Sequence, residues 1–263
     1  MLDLNLSGKR ALVCGSSQGI GKAIAMELAD LGASVTLFAR NAESLEKAKA
    51  DLSSDEGQSH EILTADFSDP ASVANALEQH LSSGTEYQIL VNNTGGPAPG
   101  PAHKSKPEDY LAGFNQHLIN NQQLVAALIP GMQNSGYGRI INVISTSVKQ
   151  PIPNLGVSNT VRGAVASWAK TLASELGPMG ITVNSVLPGA TNTVRLSAIF
   201  ENKAKKLGKS VEEVAEEERN GIPLRRFGEA HELAGLVAFL SSPAGAYISG
   251  TSIAVDGGRT LCL

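Results

Sequence analysis

The sequence predicts an α/β fold, in which a doubly wound parallel sheet carries helices on both faces. Strand-like apolar segments alternate with helix-like segments along the 263 residues, and such alternation is typical of parallel sheets with right-handed crossovers. The composition agrees, because 42% hydrophobic and 17% charged residues are ordinary for a globular protein. No second domain is required, so residues 1–263 are predicted to form a single domain.

The first strand and the turn after it give the clearest local signal. Residues 10–14 (Arg-Ala-Leu-Val-Cys) form an apolar run that suits a buried strand, and residues 15–21 (Gly-Ser-Ser-Gln-Gly-Ile-Gly) follow at once. The next helix places its apolar residues on one face, namely Ile20, Ile24, Leu28 and Leu31. Glycines permit a sharp turn, and free amides at a helix N-terminus favour a phosphate. Alone, this motif is equally compatible with a turn used only for packing.

The remaining elements follow in chain order. Further strands are predicted at residues 35–39, 61–65, 88–91, 138–145 and 181–187, with a last one in the segment 251–258. Further helices are predicted to begin near Ala42, Pro70, Pro107, Leu155 and Glu229. Seven strands alternating with helices predict the Rossmann architecture.

Three further motifs accompany these strands. Asn92-Asn93-Thr94-Gly95 follows the fourth strand, residues 188–193 (Pro-Gly-Ala-Thr-Asn-Thr) follow the sixth, and residues 247–250 (Tyr-Ile-Ser-Gly) precede the last. Together with the glycine turn, they resemble the short-chain dehydrogenase/reductase family, particularly its 3-oxoacyl-carrier-protein reductase-like members, over nearly the whole chain. The resemblance implies an NAD(P)-dependent oxidoreductase that acts on CH–OH groups or the corresponding carbonyls of small molecules.

The resemblance also implies the residues of a dinucleotide site. They are Gly15, Ser17, Gln18, Gly19, Ile20, Gly21, Arg40, Asp66, Phe67, Asn93, Thr94, Gly95, Arg162, Pro188, Gly189, Thr191 and Thr193. Asp66 matches the residue beside adenine, and Thr191 and Thr193 match the nicotinamide side. A turn or capping role is the alternative for Asp66 and Asn93.

Arg40 indicates which nicotinamide cofactor is used. It ends the second strand, where an acidic residue would hydrogen-bond to a free ribose 2′-hydroxyl and repel a 2′-phosphate. Arginine attracts that phosphate, so NADP(H) is predicted over NAD(H). A simple surface position at the strand end is the alternative.

The catalytic positions depart from the family pattern. The resemblance implies a serine, present as Ser145, then a tyrosine thirteen residues later and a lysine four residues beyond it. The chain has Ser158 and Arg162 at those two positions, and none of its tyrosines is followed four residues later by lysine. The asparagine position of the family falls on His117. A serine hydroxyl is a far weaker acid than a phenol, and arginine, with a pKa above about 12, keeps its proton.

Two hypotheses fit this mixture. In the first, the protein is a divergent NADP(H)-dependent reductase of a 3-oxoacyl thioester or another ketone. Ser145 would hold the substrate oxygen, and His117 or a water ordered by Ser158 would supply the proton. The imidazole pKa of about 6.5 favours His117, although a structural histidine is the commoner case. In the second, the protein is an NADP(H)-binding sensor, or the partner subunit of an active reductase, without turnover.

Composition and charge exclude other classes. A net charge of −4 without a basic cluster argues against nucleic acid. No apolar run reaches the length of a membrane span and no signal-like segment opens the sequence, so no membrane partner and a cytoplasmic location are expected. Cys14 and Cys262 have neither metal-ligand nor disulfide spacing, and no metal site is predicted.

Two further features concern the outside of the domain. Residues 195–221 carry a lysine-rich stretch followed by a glutamate-rich one, which suits either a mobile lid over the substrate site or two solvated helices. The resemblance implies a homo-oligomer, a tetramer or a dimer, and the long apolar helices, including the one that carries Trp168, are compatible with it.

Overall fold

The computed structural model describes residues 2–262 and contains a seven-stranded, fully parallel sheet. The strands are β1 (Arg10–Cys14), β2 (Ser34–Ala39), β3 (Glu61–Thr64), β4 (Ile89–Asn92), β5 (Gly138–Val143), β6 (Ile181–Pro188) and β7 (Ser252–Val255). Their spatial order is β3-β2-β1-β4-β5-β6-β7. The predicted fold class, a doubly wound α/β sheet, is confirmed.

Helices connect these strands and cover both faces of the sheet. They are α1 (Gly19–Asp30), α2 (Ala42–Lys49), α3 (Pro70–Leu81), α4 (Pro107–Phe114), α5 (Asn120–Asn134), α6 (Gly156–Leu176), α7 (Val194–Leu207), α8 (Val211–Asn220) and α9 (Ala230–Ser241). No helix within residues 2–262 combines the length and the apolar character needed to cross a bilayer.

The core lies in two layers because successive residues of a strand point to opposite faces. In β1, Ala11 and Val13 pack with α1, α2 and α9, whereas Leu12 and Cys14 pack with α3, α5 and α6. All four of these side chains are fully buried. Strands buried on both faces are continuously apolar, which explains why apolar runs located this strand.

The sheet order fixes where a ligand can bind. The chain winds outward from β1 through β2 to β3, then returns to the other side of β1 with β4. This reversal leaves a crevice at the carboxyl ends of β1 and β4, where ligands bind in open parallel sheets. The glycine turn and the Asn92–Gly95 motif meet there.

Two segments are not single continuous α-helices. The helix predicted to begin near Pro107 is interrupted, because a π-helical turn at Asn115–Ile119 separates α4 from α5, and such turns are frequent at functional sites. The segment 195–221 forms α7 and α8, joined through Gly208 with a φ of 65°. These two helices share a small apolar cluster made by Phe200, Ala204, Val214 and Ala215.

Candidate active site

A cavity of about 510 Å³ opens at the carboxyl ends of β4, β5 and β6. Many of the residues predicted from the sequence line it, namely Ile20, Asn93, Thr94, Ser145, Ser158, Arg162, Pro188, Gly189, Thr191 and Thr193. Residues from α6 and α7 also line the cavity. The sheet therefore brings segments that are far apart in the chain into one concave site.

The glycine turn is packed too closely for side chains at two positions. A Cβ atom on Gly15 would lie 2.4 Å from the backbone oxygen of Asn93, and one on Gly21 would lie 2.2 Å from the oxygen of Gly15. Gly15 and Gly19 also have positive φ angles of 60° and 58°, which favour glycine. The turn thus brings its backbone against the end of β4.

The N-terminus of α1 is free to receive an anion. Its N-cap residue, Gln18, makes no side-chain capping bond, and the first turn contains no acidic residue. The first amides of a helix have no partner within the helix, and the helix dipole is positive at this end. A phosphate-bearing group therefore fits the backbone between Gly15 and Gly21.

Asn93 and Asp66 both make the local contacts that hold their loops. The Asn93 side-chain amide donates to the carbonyl oxygens of Cys14 (3.2 Å) and Gly15 (3.3 Å), which joins the end of β4 to the glycine turn. The Asp66 carboxylate accepts from the amide (2.9 Å) and the hydroxyl (2.8 Å) of Ser68. These two bonds lower the pKa of Asp66.

The predicted adenosine residues lie outside the cavity lining. Arg40 is exposed just after β2, and its charge contributes to lowering the pKa of Asp66. Phe67 is buried after β3, and its carbonyl oxygen accepts from the Asn120 side chain at 2.8 Å. Of the remaining predicted contacts, Ser17 and Gln18 lie in the turn before α1, Gly19 and Gly21 in the first turn of α1, and Gly95 in the loop after β4.

Ser145, Ser158 and Arg162 lie on the same cavity, as the sequence predicted. Ser145 caps a short turn at Thr146–Val148, where its hydroxyl accepts from the Ser147 amide at 3.1 Å. Ser158 precedes Arg162 by one turn of α6. Arg162 is buried and donates to the Val143 carbonyl at 3.3 Å, and burial, followed by the charge of Arg195, lowers its pKa to about 10. Arg162 therefore remains a cation at neutral pH.

His117 differs from its expected behaviour. It lies in the π-helical turn with only 1% of its surface exposed, and its Nδ1 is 2.7 Å from the hydroxyl of Thr94. Burial, and then the charges of Arg162 and Arg195, lower its pKa to about 2. The ordinary imidazole pKa of about 6.5, which made His117 a candidate proton donor, does not apply to this buried ring, which stays neutral. Thr94 lines the cavity and His117 does not.

The sequence reasoning missed the charged residues at the cavity mouth. Glu218 on α8 pairs with Lys203 on α7 and with Arg259 after β7, each at 2.7 Å. Arg195, in the first turn of α7, also lines the cavity. Its position two residues after Thr193 was a usable signal. No signal in the sequence predicted the contacts among Lys203, Glu218 and Arg259, because these residues come from three separate segments.

The comparisons with known proteins agree with this site. A family model described as Enoyl-(Acyl carrier protein) reductase matches residues 15–260. The chain belongs to the short-chain dehydrogenase/reductase family, a family of oxidoreductases, so the predicted family is confirmed.

Particular relatives cover nearly the whole chain. The NADPH-dependent reductase BacG of Bacillus subtilis is 34% identical over 96% of this chain and 98% of that protein. The 3-oxoacyl-[acyl-carrier-protein] reductase FabG of Pseudomonas aeruginosa is 35% identical over 97% of this chain and 98% of that protein. The crystal structure of L-sorbose reductase from Gluconobacter frateurii, complexed with NADPH and L-sorbose, has a TM-score of 0.93 at 31% identity, covering 99% of this chain and 100% of that one. NADPH is named for two of these three proteins, in agreement with the cofactor predicted from Arg40.

Proposed function

We propose that this protein is an NADPH-dependent reductase that converts a carbonyl group of a small molecule into an alcohol. One observation carries the proposal: Ser145, Ser158 and Arg162 share a cavity with Thr191 and Thr193, beside an intact nucleotide turn. BacG and L-sorbose reductase, which cover nearly all of this chain, are associated with NADPH by name. When bound, NADPH supplies the hydride that adds to the carbonyl carbon.

The residues present fit this cofactor. The free amides at the N-terminus of α1 suit its diphosphate, and exposed Arg40 suits a ribose 2′-phosphate. Glycines at 15 and 21 are required by the close approach of Asn93 and of the turn itself. We assign to Arg162, which lines the cavity, the hydrogen bonds to ribose hydroxyls that the family gives to lysine.

The groups around the carbonyl polarise it without a phenol. The Ser145 hydroxyl donates to the substrate oxygen, and the buried cation of Arg162 stabilises negative charge that develops there. The carbonyl carbon gains a hydride and the oxygen gains a proton. Neutral His117 does not line the cavity, and the Ser158 hydroxyl is no stronger an acid than water. We propose that the alkoxide formed by hydride addition, stabilised by Arg162, takes its proton from a water molecule held by the hydroxyls of Ser145 and Ser158. The hydroxide that remains is reprotonated from bulk solvent.

A turnover screen tests the proposal. We expect NADPH oxidation above background with at least one class among 3-oxoacyl thioesters, ketones and quinones. Ser145→Ala should lower kcat/KM by roughly 100-fold, because an oriented hydrogen bond to the developing oxyanion is lost.

The alternative is a protein that binds NADPH without turnover, as a sensor or as the subunit of an active reductase. The absence of the tyrosine and the lysine favours it. In that case the unmodified protein would bind NADPH but would not oxidise it, whichever substrate is supplied. Activity would appear only in the double variant Ser158→Tyr, Arg162→Lys. Activity in the unmodified protein would eliminate this alternative.

We also propose that the protein is a homo-oligomer and that α7 and α8 form a lid. The family pattern places the subunit contacts on the long helices, which here are α5 and α6. Light scattering at micromolar concentration should give a dimer or a tetramer, and a monomer would contradict this. NADPH with substrate should slow tryptic cleavage at exposed Lys205 and Lys206 of α7, because lid closure protects its own backbone.

A further inference from the structure

Arg195 reaches across the crevice from α7 to the loop after β4. A Cβ atom on Gly96 would lie 2.7 Å from one of its guanidinium nitrogens, and one on Gly95 would lie 3.8 Å from the other. Only a glycine at position 96 leaves room for the guanidinium in this place. The residue is exposed along the cavity rim, yet burial of its charged group lowers its pKa.

Arg195 and Arg162 form a pair of cations without a counterion. The charge of Arg195 lowers the pKa of Arg162, and no carboxylate contributes to the pKa of either group. Within residues 2–262, neither guanidinium takes part in an ion pair. Lys203 and Arg259, by contrast, share the carboxylate of Glu218. The cavity lining therefore holds four cations and one carboxylate, which is already engaged.

Like charges that face a half-buried cavity raise the free energy of the unliganded protein, and an anion placed between them lowers it. The diphosphate of the cofactor has its own site at the N-terminus of α1. Arg195 lines the same cavity as Ser145 and Ser158. A single guanidinium fork suits a carboxylate, with which it makes two parallel hydrogen bonds.

We propose that the substrate carries a carboxylate, which Arg195 binds while the reacting carbonyl faces Ser145. This inference rests on the proposed reductase function and names the substrate class of that site. Arg195 is thus a specificity-determining residue, and the buried charge of Arg162 adds to the attraction. Neutral ketones of the same shape would lack the main contact.

The test measures binding, so it does not depend on turnover. The protein is first saturated with NADP⁺, and two matched pairs of ligands are titrated by calorimetry: benzoylformate with methyl benzoylformate, and acetoacetate with methyl acetoacetate. We expect each free acid to bind at least about tenfold more tightly than its ester. Arg195→Gln should remove this preference and leave ester binding unchanged. Arg195→Lys should keep part of it, because the positive charge remains.

Lys206→Gln is the matched control, since it removes an exposed cation from the same helix, outside the cavity. It should keep the full preference for the acid. The proposal is overturned if acid and ester bind alike, or if neither acid binds. It is also overturned if Arg195→Gln weakens NADPH itself by about tenfold or more, because the charge would then serve the cofactor. Absence of NADP⁺ binding would instead refute the proposed function, and the two failures are therefore distinct.

Discussion

His117 shows how burial changes the chemistry that a side chain can perform. At the residue scale, an imidazole at the asparagine position of the family offers a proton donor only if it titrates near neutral pH. Here its ring is buried, the charges of two arginines act on it, and its pKa falls to about 2. The buried Nε2 has no partner in the described part of the chain. His117 is therefore better suited to fix the Thr94 hydroxyl, 2.7 Å away, than to exchange protons.

Replacing His117 should change how stability depends on pH. In the folded protein the pKa is depressed, so below about pH 6.5 only the unfolded chain takes up this proton, and stability is lost as the pH falls. As the pH falls from about 7.5 to about 5, this one group should lower the free energy of unfolding by about 2 kcal/mol. His117→Asn should reduce the acid-induced loss of unfolding free energy by about that amount in urea titrations.

His103→Asn serves as the control, because His103 is exposed. In the His103→Asn variant, the free energy of unfolding should change with pH as it does in the unmodified protein. An acid-induced loss of the same size in His117→Asn and in the unmodified protein would show that His117 is not held neutral by burial.

Arg40 should set the choice between NADPH and NADH. Arg40→Ser is expected to weaken NADPH binding roughly tenfold, because a charge-assisted contact with the 2′-phosphate is lost. NADH binding should stay the same. Fluorescence titration measures both, with Lys47→Ser as the control, since Lys47 is an exposed cation on the following helix that pairs only with Glu43. Equal losses for both nucleotides would contradict this role for Arg40.

At the residue scale, the sequence predicted where site residues lie better than it predicted their pKa values and contacts. The family resemblance implied positions for Ser145, Ser158 and Arg162, and all three residues line one cavity. The pKa of His117 could not be predicted, because it depends on enclosure by distant segments. The contact of Arg195 with Gly96 depends on the return of α7 across the crevice, which no local pattern reports.

At the scale of elements, the strand–turn–helix unit β1–α1 is the part of the fold that we propose holds the nucleotide. Gly21→Ala should reduce NADPH affinity by about 100-fold or more and lower the Tm, because the new methyl group would lie 2.2 Å from the Gly15 oxygen and displace the turn. Circular dichroism and a fluorescence titration measure the two effects. Normal NADPH affinity in this variant would contradict the assigned role of the turn.

Gly163→Ala is the matched substitution in a helix with open space around the added methyl group. It lies on the exposed side of α6, where alanine is favoured over glycine by about 0.5–1 kcal/mol. The variant should be slightly more stable than the unmodified protein, with unchanged NADPH affinity. A loss of affinity there would show that alanine substitution harms binding without regard to position.

Element types were predictable where apolar periodicity was strong, and the first residues of α2, α3 and α4 agree with the predicted starts. The break between α4 and α5 was not predicted. A π-helical turn inserts one residue into the helical register, so apolar residues before and after it still look periodic in isolation. The predicted lid segment was found as two helices, α7 and α8, whose contacts with each other bury Phe200 and Val214.

At the scale of the whole molecule, the strand order decides the position of the site. The reversal between β1 and β4 creates the crevice, and the ends of β5 and β6 bring the serine and threonine residues to it. Sequence motifs located these ends, because each motif followed a predicted strand. The arrangement of charge around the mouth, in which Glu218 engages two cations, emerges only when the sheet and α7–α8 are assembled.

Cofactor binding should stabilise the assembled fold. NADPH at about 100 times its Kd should add about 2.7 kcal/mol to the unfolding free energy, because it binds the folded state alone. Thermal melts at equal concentrations should show a larger rise in Tm with NADPH than with NADH. Equal shifts would contradict the assignment of NADP(H).

The central claim is that the site transfers hydride although its usual proton donor is absent. The most direct measurement uses NADPH deuterated at the transferring position of the nicotinamide, with a substrate that the screen identifies, and examines the product by mass spectrometry. We predict one deuterium on the new carbinol carbon, and a rate about 100-fold lower in Ser145→Ala. Bound NADPH that leaves no deuterium in any product would contradict the claim.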